Sequence, residues 1–275
     1  MTWPRHTVAL FQRALLWWTL GWAVAMLVLG LPAEVAATPA IGPAGGFAHL
    51  THALARVPAP DRAPVCAAVL VLLAGASADG LWRGLRWWSA GTVALLFHAL
   101  MHAAWPVGHG GMHLMANLLL GNVLLAIGGS VRPLQWLAPV GLWAVRFQVL
   151  IVYATTAAHK LTGVHWPGGT AVGIVATDPG FGGAALLAVP GLAPALTWAA
   201  LAFQVTFPLM VWWRTTRRCW LAMGAVFHLL TGWWIGVPEM SLAFIAAYTA
   251  WTSDPEAARM LRWCARTRPA RSAVR

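Results

Sequence analysis

The sequence predicts an all-α protein: a polytopic transmembrane bundle of about eight helices with both termini cytoplasmic. Three observations carry this. Charge is scarce, apolar stretches recur at membrane length, and the arginines fall on one side of the resulting topology. Hydrophobic residues make up 60% of the 275 positions and charged residues 9%. A soluble domain carries about 25% charged residues, so this chain cannot build a water-facing surface around a core. Its length suits one compact bundle and leaves no room for a second large domain.

The apolar stretches cover residues 14–31, 64–78, 88–105, 112–128, 136–159, 192–213, 219–236 and 238–252. Several are shorter than the ~20 residues of a simple crossing, which predicts tilt or a partly buried position. The first follows Arg5 and Arg13, as a signal peptide would. Its bulky Trp17, Trp18 and Trp22 argue instead for a retained helix. Residues 44–57 place Phe47, Leu50, Leu54 and Val57 on one helical face and are expected at the interface. Residues 165–190 are rich in Gly and Pro and read as a re-entrant or surface loop, shielded by protein wherever it enters the membrane.

With the amino terminus inside, Arg5, Arg13, Arg83, Arg86, Arg132, Arg214, Arg217, Arg218 and the six arginines of residues 259–275 lie on the inner side. Only Arg56 and Arg62 lie outside, while Arg146 and Lys160 fall within or at the end of a stretch. This is the positive-inside bias of a multi-pass protein of the inner (cytoplasmic) membrane. It accounts for the net charge of +11 without a nucleic-acid partner. Membrane lipids are the expected surroundings. The basic tail, residues 259–275, is expected to be solvated and mobile. The 19 tryptophans gather at stretch ends, as an aromatic belt does. Cys66, Cys219 and Cys264 are odd in number and lack metal spacing, so no disulfide framework is expected.

This topology sorts the ionisable side chains. His102, His109, His113, His159, Lys160, His165 and Asp178 fall towards the outer side, and His98, Arg146 and His228 lie deeper. Ionisable groups at depth are costly and point to function. Lys160 stands out as the one lysine beside 17 arginines. Arginine holds its proton, whereas a desolvated lysine can release it and serve as a base. The competing role is an interfacial anchor whose ammonium snorkels to water. Arg146 either holds an anionic substrate or quinone oxygen, or pairs structurally with a carbonyl or with Glu239. His98 and His102 are four apart, as are His109 and His113, yet no cysteine or carboxylate completes a metal set. No metal is expected. A bis-histidine haem, held by His98 or His102 with His228, is a lesser alternative.

Residues 146–171 add a resemblance. Arg146, Gln148, Tyr153, Lys160, Leu161, Trp166, Gly169 and Ala171 occur in the order found in the HTTM family, the membrane domain shared with vitamin K-dependent gamma-carboxylase. Phe207-Pro208, the arginines at 214–218 and Phe227-His228 resemble its second block. The resemblance makes residues 1–258 an HTTM-like transmembrane domain. It implies that Lys160 is the base that activates a quinol, with His113 and His228 as catalytic partners. It assigns Arg146, Gln148, Tyr153, His159 and Trp166 to substrate binding. The implied cofactor is reduced vitamin K or another quinol. The implied chemistry is quinol deprotonation and oxygenation (epoxidation), with carboxylation coupled to it. His159 stands where the carboxylase has a second lysine, and Gln204 where relatives often have a glutamate. The chain ends soon after its last apolar stretch, so the large lumenal domain that grips the carboxylase's protein substrate is expected to have no counterpart. The alternative function is therefore a non-catalytic quinone- or lipid-binding subunit that anchors a protein partner. His113 and His228 are expected to line one cavity with Lys160, with Arg146 below.

Overall fold

The computed structural model describes residues 3–37, 57–103, 110–181 and 183–266. These are mostly helical, joined by turns and loops, with no strand among them. The helices are α1 (Arg5–Val28), α2 (Leu31–Ala37), α3 (Ala59–Arg83), α4 (Trp87–Ala103), α5 (Gly110–Ser130), α6 (Leu137–Thr162), α7 (Ala171–Thr177), α8 (Leu192–Met210), α9 (Arg214–Ile235), α10 (Pro238–Tyr248) and α11 (Asp254–Arg266). Each of the eight apolar stretches coincides with a helix. Five of these are long and apolar enough to cross a membrane: α1, α3, α5, α6 and α8. The interfacial segment expected at 44–57 lies almost wholly outside the described residues.

The remaining three differ for local reasons. α4 has 17 residues. α9 has 22, but its first turns hold Arg214, Arg217 and Arg218. α10 has only 11 residues and is set apart by its ends. Gly236 takes a left-handed φ of +80° that ends α9. Pro238 then opens α10, where a missing N–H costs nothing. α10 buries Ser241, Ala243, Phe244, Ala246, Ala247 and Tyr248, so it is a core element. It packs against α1, α5, α6 and α9.

Small residues set the closest helix pair. A Cβ at Gly128 of α5 would strike the backbone of Ala138, and one at Gly141 of α6 would strike that of Gly121 and Leu125. Without a hydrophobic force between helices in lipid, such backbone approach supplies the packing energy. A polar tie joins α1 to α5, where Gln12 donates to Asn122 at 3.1 Å.

The described part of the carboxyl-terminal segment is helical and largely exposed. Residues 259–266 continue α11, which packs on α1 and buries Ala257 and Ala258. Ser253 and Glu256 make one half of a capping box: Glu256 Oε2 accepts the Ser253 N–H at 2.8 Å, and it also accepts the Ser253 hydroxyl at 2.5 Å. Glu256 also accepts from Arg218 of α9. Asp254 caps a different helix. Its Oδ1 accepts the His6 and Thr7 N–H groups at 2.6 and 3.0 Å, in the first turn of α1.

These bonds hold the Glu256 carboxyl down to about 2. The Ser253 hydroxyl contributes most, against partial burial that raises it, with the Ser253 N–H and Arg218 adding to the lowering. A depressed folded pKa stabilises above the unfolded value and is lost as pH falls through the folded one. Glu256→Gln should therefore cost about 2 kcal/mol at neutral pH. Thermal unfolding in detergent should show the wild-type advantage shrinking below pH 4.5 and vanishing near 2. An advantage that stays constant across that range would refute the assignment.

Candidate functional site

Three residues of α6 repeat at heptad spacing: Arg146, Tyr153 and Lys160. Residues seven apart share a helix face, so one face of α6 carries a guanidinium, a phenol and an amine in sequence. Lys160 is fourteen residues from Arg146, or about 21 Å along the axis. The structure finds a different environment for each.

The Lys160 end opens into a cavity of about 510 Å³. Its walls come from α6 (Tyr153, Thr156, Lys160), α8 (Phe203, Gln204), α9 (Phe227, His228, Thr231) and α10 (Met240, Phe244). The cavity is mostly apolar. The Gly- and Pro-rich segment supplies another wall, with Trp166, Ala171 and Leu186. It forms a turn, then α7, then a 3-10 turn over Gly183–Ala188. α8 holds it in place: Trp198 donates to the Pro167 carbonyl at 3.1 Å, and Thr197 accepts the Val172 N–H at 3.0 Å. Gly169 has φ +74°, and a Cβ there would enter the Trp198 ring. That close approach gives a physical reason for glycine at position 169.

Lys160 Nζ lies 3.6 Å from the centroid of the Trp166 ring, a cation–π contact. Among the described residues no hydrogen bond or ion pair reaches this amine, and it faces the cavity.

Tyr153 sits at the cavity floor, 2% exposed. Its hydroxyl meets His228 Nε2 at 2.7 Å and the Tyr248 hydroxyl at a short hydrogen bond. Phe207 stacks on the Tyr153 ring at 4.1 Å, and Phe244 stacks on the His228 ring at 4.1 Å. The bonds can run from Tyr248 through Tyr153 to His228 or the reverse, according to the histidine tautomer. Either way the buried His228 Nδ1 has no partner in the protein. Gln204 Oε1, also buried at the cavity wall, has none. Gly224 makes room for Tyr248: a Cβ there would fall 2.5 Å from its hydroxyl.

The structure thus brings Lys160, His228, Tyr153 and Trp166 to one cavity. Comparison with protein families, curated proteins and solved structures finds no match for this chain. The resemblance of residues 146–171 accordingly rests on those residues alone.

The other expected site residues lie elsewhere. His113 is half-buried on α5 and outside the cavity lining. Gln148 is half-buried on α6, and His159 is exposed beside Lys160; neither lines the cavity. Arg146 lies outside the cavity lining, seven residues along α6 from Tyr153. Its Nε donates to the Ala250 carbonyl at 3.0 Å, just beyond the end of α10, whereas Glu239 stands at the start of that helix. His98 Nδ1 bonds the Ala94 carbonyl of its own helix at 2.7 Å. His109 and the His102 side chain lie outside the described residues. Among the described residues no three His, Cys, Asp or Glu side chains gather.

Two site members were not assigned to the site from the sequence: Tyr248, and Gln204, which was noted only as standing where relatives often have a glutamate. A compositional signal existed for the first. The chain has 2 tyrosines, and both meet in one hydrogen bond.

The arrangement predicts a graded response. Tyr248→Phe leaves the Tyr153–His228 bond and should cost about 1 kcal/mol. Tyr153→Phe breaks both bonds, strands His228 on both ring nitrogens, and should cost about 2–3 kcal/mol. Unfolding in detergent would rank them, and equal or reversed costs would show that Tyr153 is not the shared partner.

Proposed function

We propose that this chain is a multi-pass membrane protein of the carboxylase-like class that binds a lipid-soluble quinol and deprotonates it with Lys160. The meeting of Lys160, His228 and Tyr153 in one apolar cavity carries this reading. The cavity volume suits a small molecule, for which sites of about 300–1,000 Å³ are usual. Phe203, Phe227, Phe244 and Trp166 offer aromatic walls to a flat ring. Gln204 and His228 each offer a buried polar atom that the protein leaves unpartnered, which a ligand oxygen could satisfy. When bound, reduced vitamin K or another quinol would supply reducing electrons and an acidic hydroxyl.

The residues divide the work. Lys160 Nζ takes a proton, and the Trp166 ring stabilises the resulting ammonium. Tyr153 and Tyr248 hold His228 in place, so its Nδ1 can donate to or accept from a ligand oxygen. The apolar wall excludes water, which strengthens each of these interactions.

One observation favours a second reading. The same Trp166 contact suits a lysine that stays charged, as in a quinone- or lipid-binding subunit that anchors a protein partner. The two roles separate on substitution. A base needs a proton that can leave, and arginine does not release one. Lys160→Arg should abolish quinol oxidation by purified protein in nanodiscs with oxygen, at unchanged thermal stability. Retention of most of the wild-type rate would leave Lys160 as an anchor.

The proposed topology has eight crossings and both termini in the cytoplasm of a cell whose inner membrane holds the protein. Two observations support it. Arginines gather on one side, and the His6–Asp254 contact sets the start of α11 beside the start of α1. A reporter active only outside the cytoplasm, fused after Arg275, should stay silent. Strong reporter activity would, with the two ends on one side, put both termini outside and move the cavity to the inner side.

A further inference from the structure

The opposite end of the α6 face holds a second group of polar residues that the quinol reading does not use. Arg146 lies between two indoles, its guanidinium carbon 5.6 Å from the Trp143 ring and 5.5 Å from the Trp251 ring. Trp251 is 3% exposed, yet its indole N–H has no partner. Arg217, near the start of α9, has a buried Nε without a partner, and its charge acts on Arg146. Trp212 closes the side, edge-on to Trp251 at 5.2 Å and stacked on Trp143 at 5.8 Å.

Every one of these polar groups is a donor. Guanidinium and indole N–H groups cannot accept a hydrogen bond. The one acceptor recorded among them is the Ala250 carbonyl, which takes Arg146 Nε. The carboxylates of the neighbouring α11 are engaged: Asp254 with His6 and Thr7, Glu256 with Ser253 and Arg218. Two like charges in a poorly hydrated setting repel, and unmet buried donors are costly. An anion rich in acceptors removes both costs. Phosphate oxygens match the guanidinium fork, which a single-point acceptor does not.

We propose that Arg146, Arg217 and Trp251 form a binding site for a phosphate-bearing anion, either a phospholipid headgroup or free phosphate. The site lies outside the cavity, about 10 Å along α6 from its floor at Tyr153 and about 21 Å from Lys160, and does not depend on what the cavity binds.

The test uses the full chain in detergent, titrated in one arm with phosphatidylglycerol, in a second with phosphatidylcholine, and in a third with inorganic phosphate. Bound adducts are counted by native mass spectrometry, and stability is followed by thermal unfolding. Saturable binding of either phospholipid with none of inorganic phosphate identifies a headgroup site, and saturable phosphate binding identifies a free-anion site. In either case Arg217→Gln should weaken binding about tenfold. Trp251→Phe, which keeps an aromatic side chain but removes the indole N–H, should weaken it several-fold with the fold intact. Arg262→Gln with Arg266→Gln removes as much or more charge from α11 and should leave the saturable binding unchanged. Absence of saturable binding in all three arms overturns the proposal. So does binding that survives Arg217→Gln and Trp251→Phe but falls with the α11 variants, because the attraction would then be diffuse charge.

Discussion

The buried hydroxyl of Tyr153 is the constraint around which the rest of the bundle is arranged. A hydroxyl at 2% exposure must find partners or destabilise the fold. Its partners come from two further helices, His228 of α9 and Tyr248 of α10. A third, α8, covers the ring through Phe207. One polar atom therefore fixes the relative depth and rotation of three helices. Apolar packing between lipid-embedded helices does this poorly, since lipid tails compete equally well for apolar side chains.

That requirement accounts for the shape of α10. With its 3-10 extension over Thr249–Trp251, it covers roughly 22 Å, less than the ~30 Å hydrocarbon core. A lipid-facing helix so short would strand backbone groups in hydrocarbon. α10 is largely enclosed by other helices, so its length answers to its neighbours. Its end falls where Tyr248 must meet Tyr153. The freed carbonyl of Ala250 just beyond that end then becomes the acceptor for Arg146. Two buried polar demands are met by placing one helix end.

Much of this was legible in the sequence, unevenly. The helices could be placed because hydropathy at membrane scale is a long-range average that tolerates local error. Lys160 could be singled out because composition isolates it, and the seven-residue step from Tyr153 to Lys160 is itself the statement that both share a face. The same step back to Arg146 was equally visible. Its partner was not, because a helix-end carbonyl leaves no trace in residue type. His113 was placed by its order in a resemblance and not by helical phase, and phase decides which wall a side chain joins. The Ser253–Glu256 pattern was written in the sequence just ahead of the arginine-rich tail. Its pairing with Arg218 and the Asp254 cap on α1 depend on contacts across more than 200 positions in the latter case, which no local pattern encodes.

The face of α6 carries three polar residues at the same spacing, and the protein treats them differently. Tyr153 is satisfied within the protein by two side chains. Arg146 has one carbonyl and two rings, with further donors nearby still unmet. Lys160 has one ring and an opening. Burying a polar group without internal partners is selected against unless something else meets it. On a helix whose central polar residue shows that the bundle can satisfy such a group fully, incomplete satisfaction at both ends is informative. It argues that the middle of the face is structural and is consistent with its two ends being where the proposed ligands bind, the quinol at the cavity and the anion among the tryptophans.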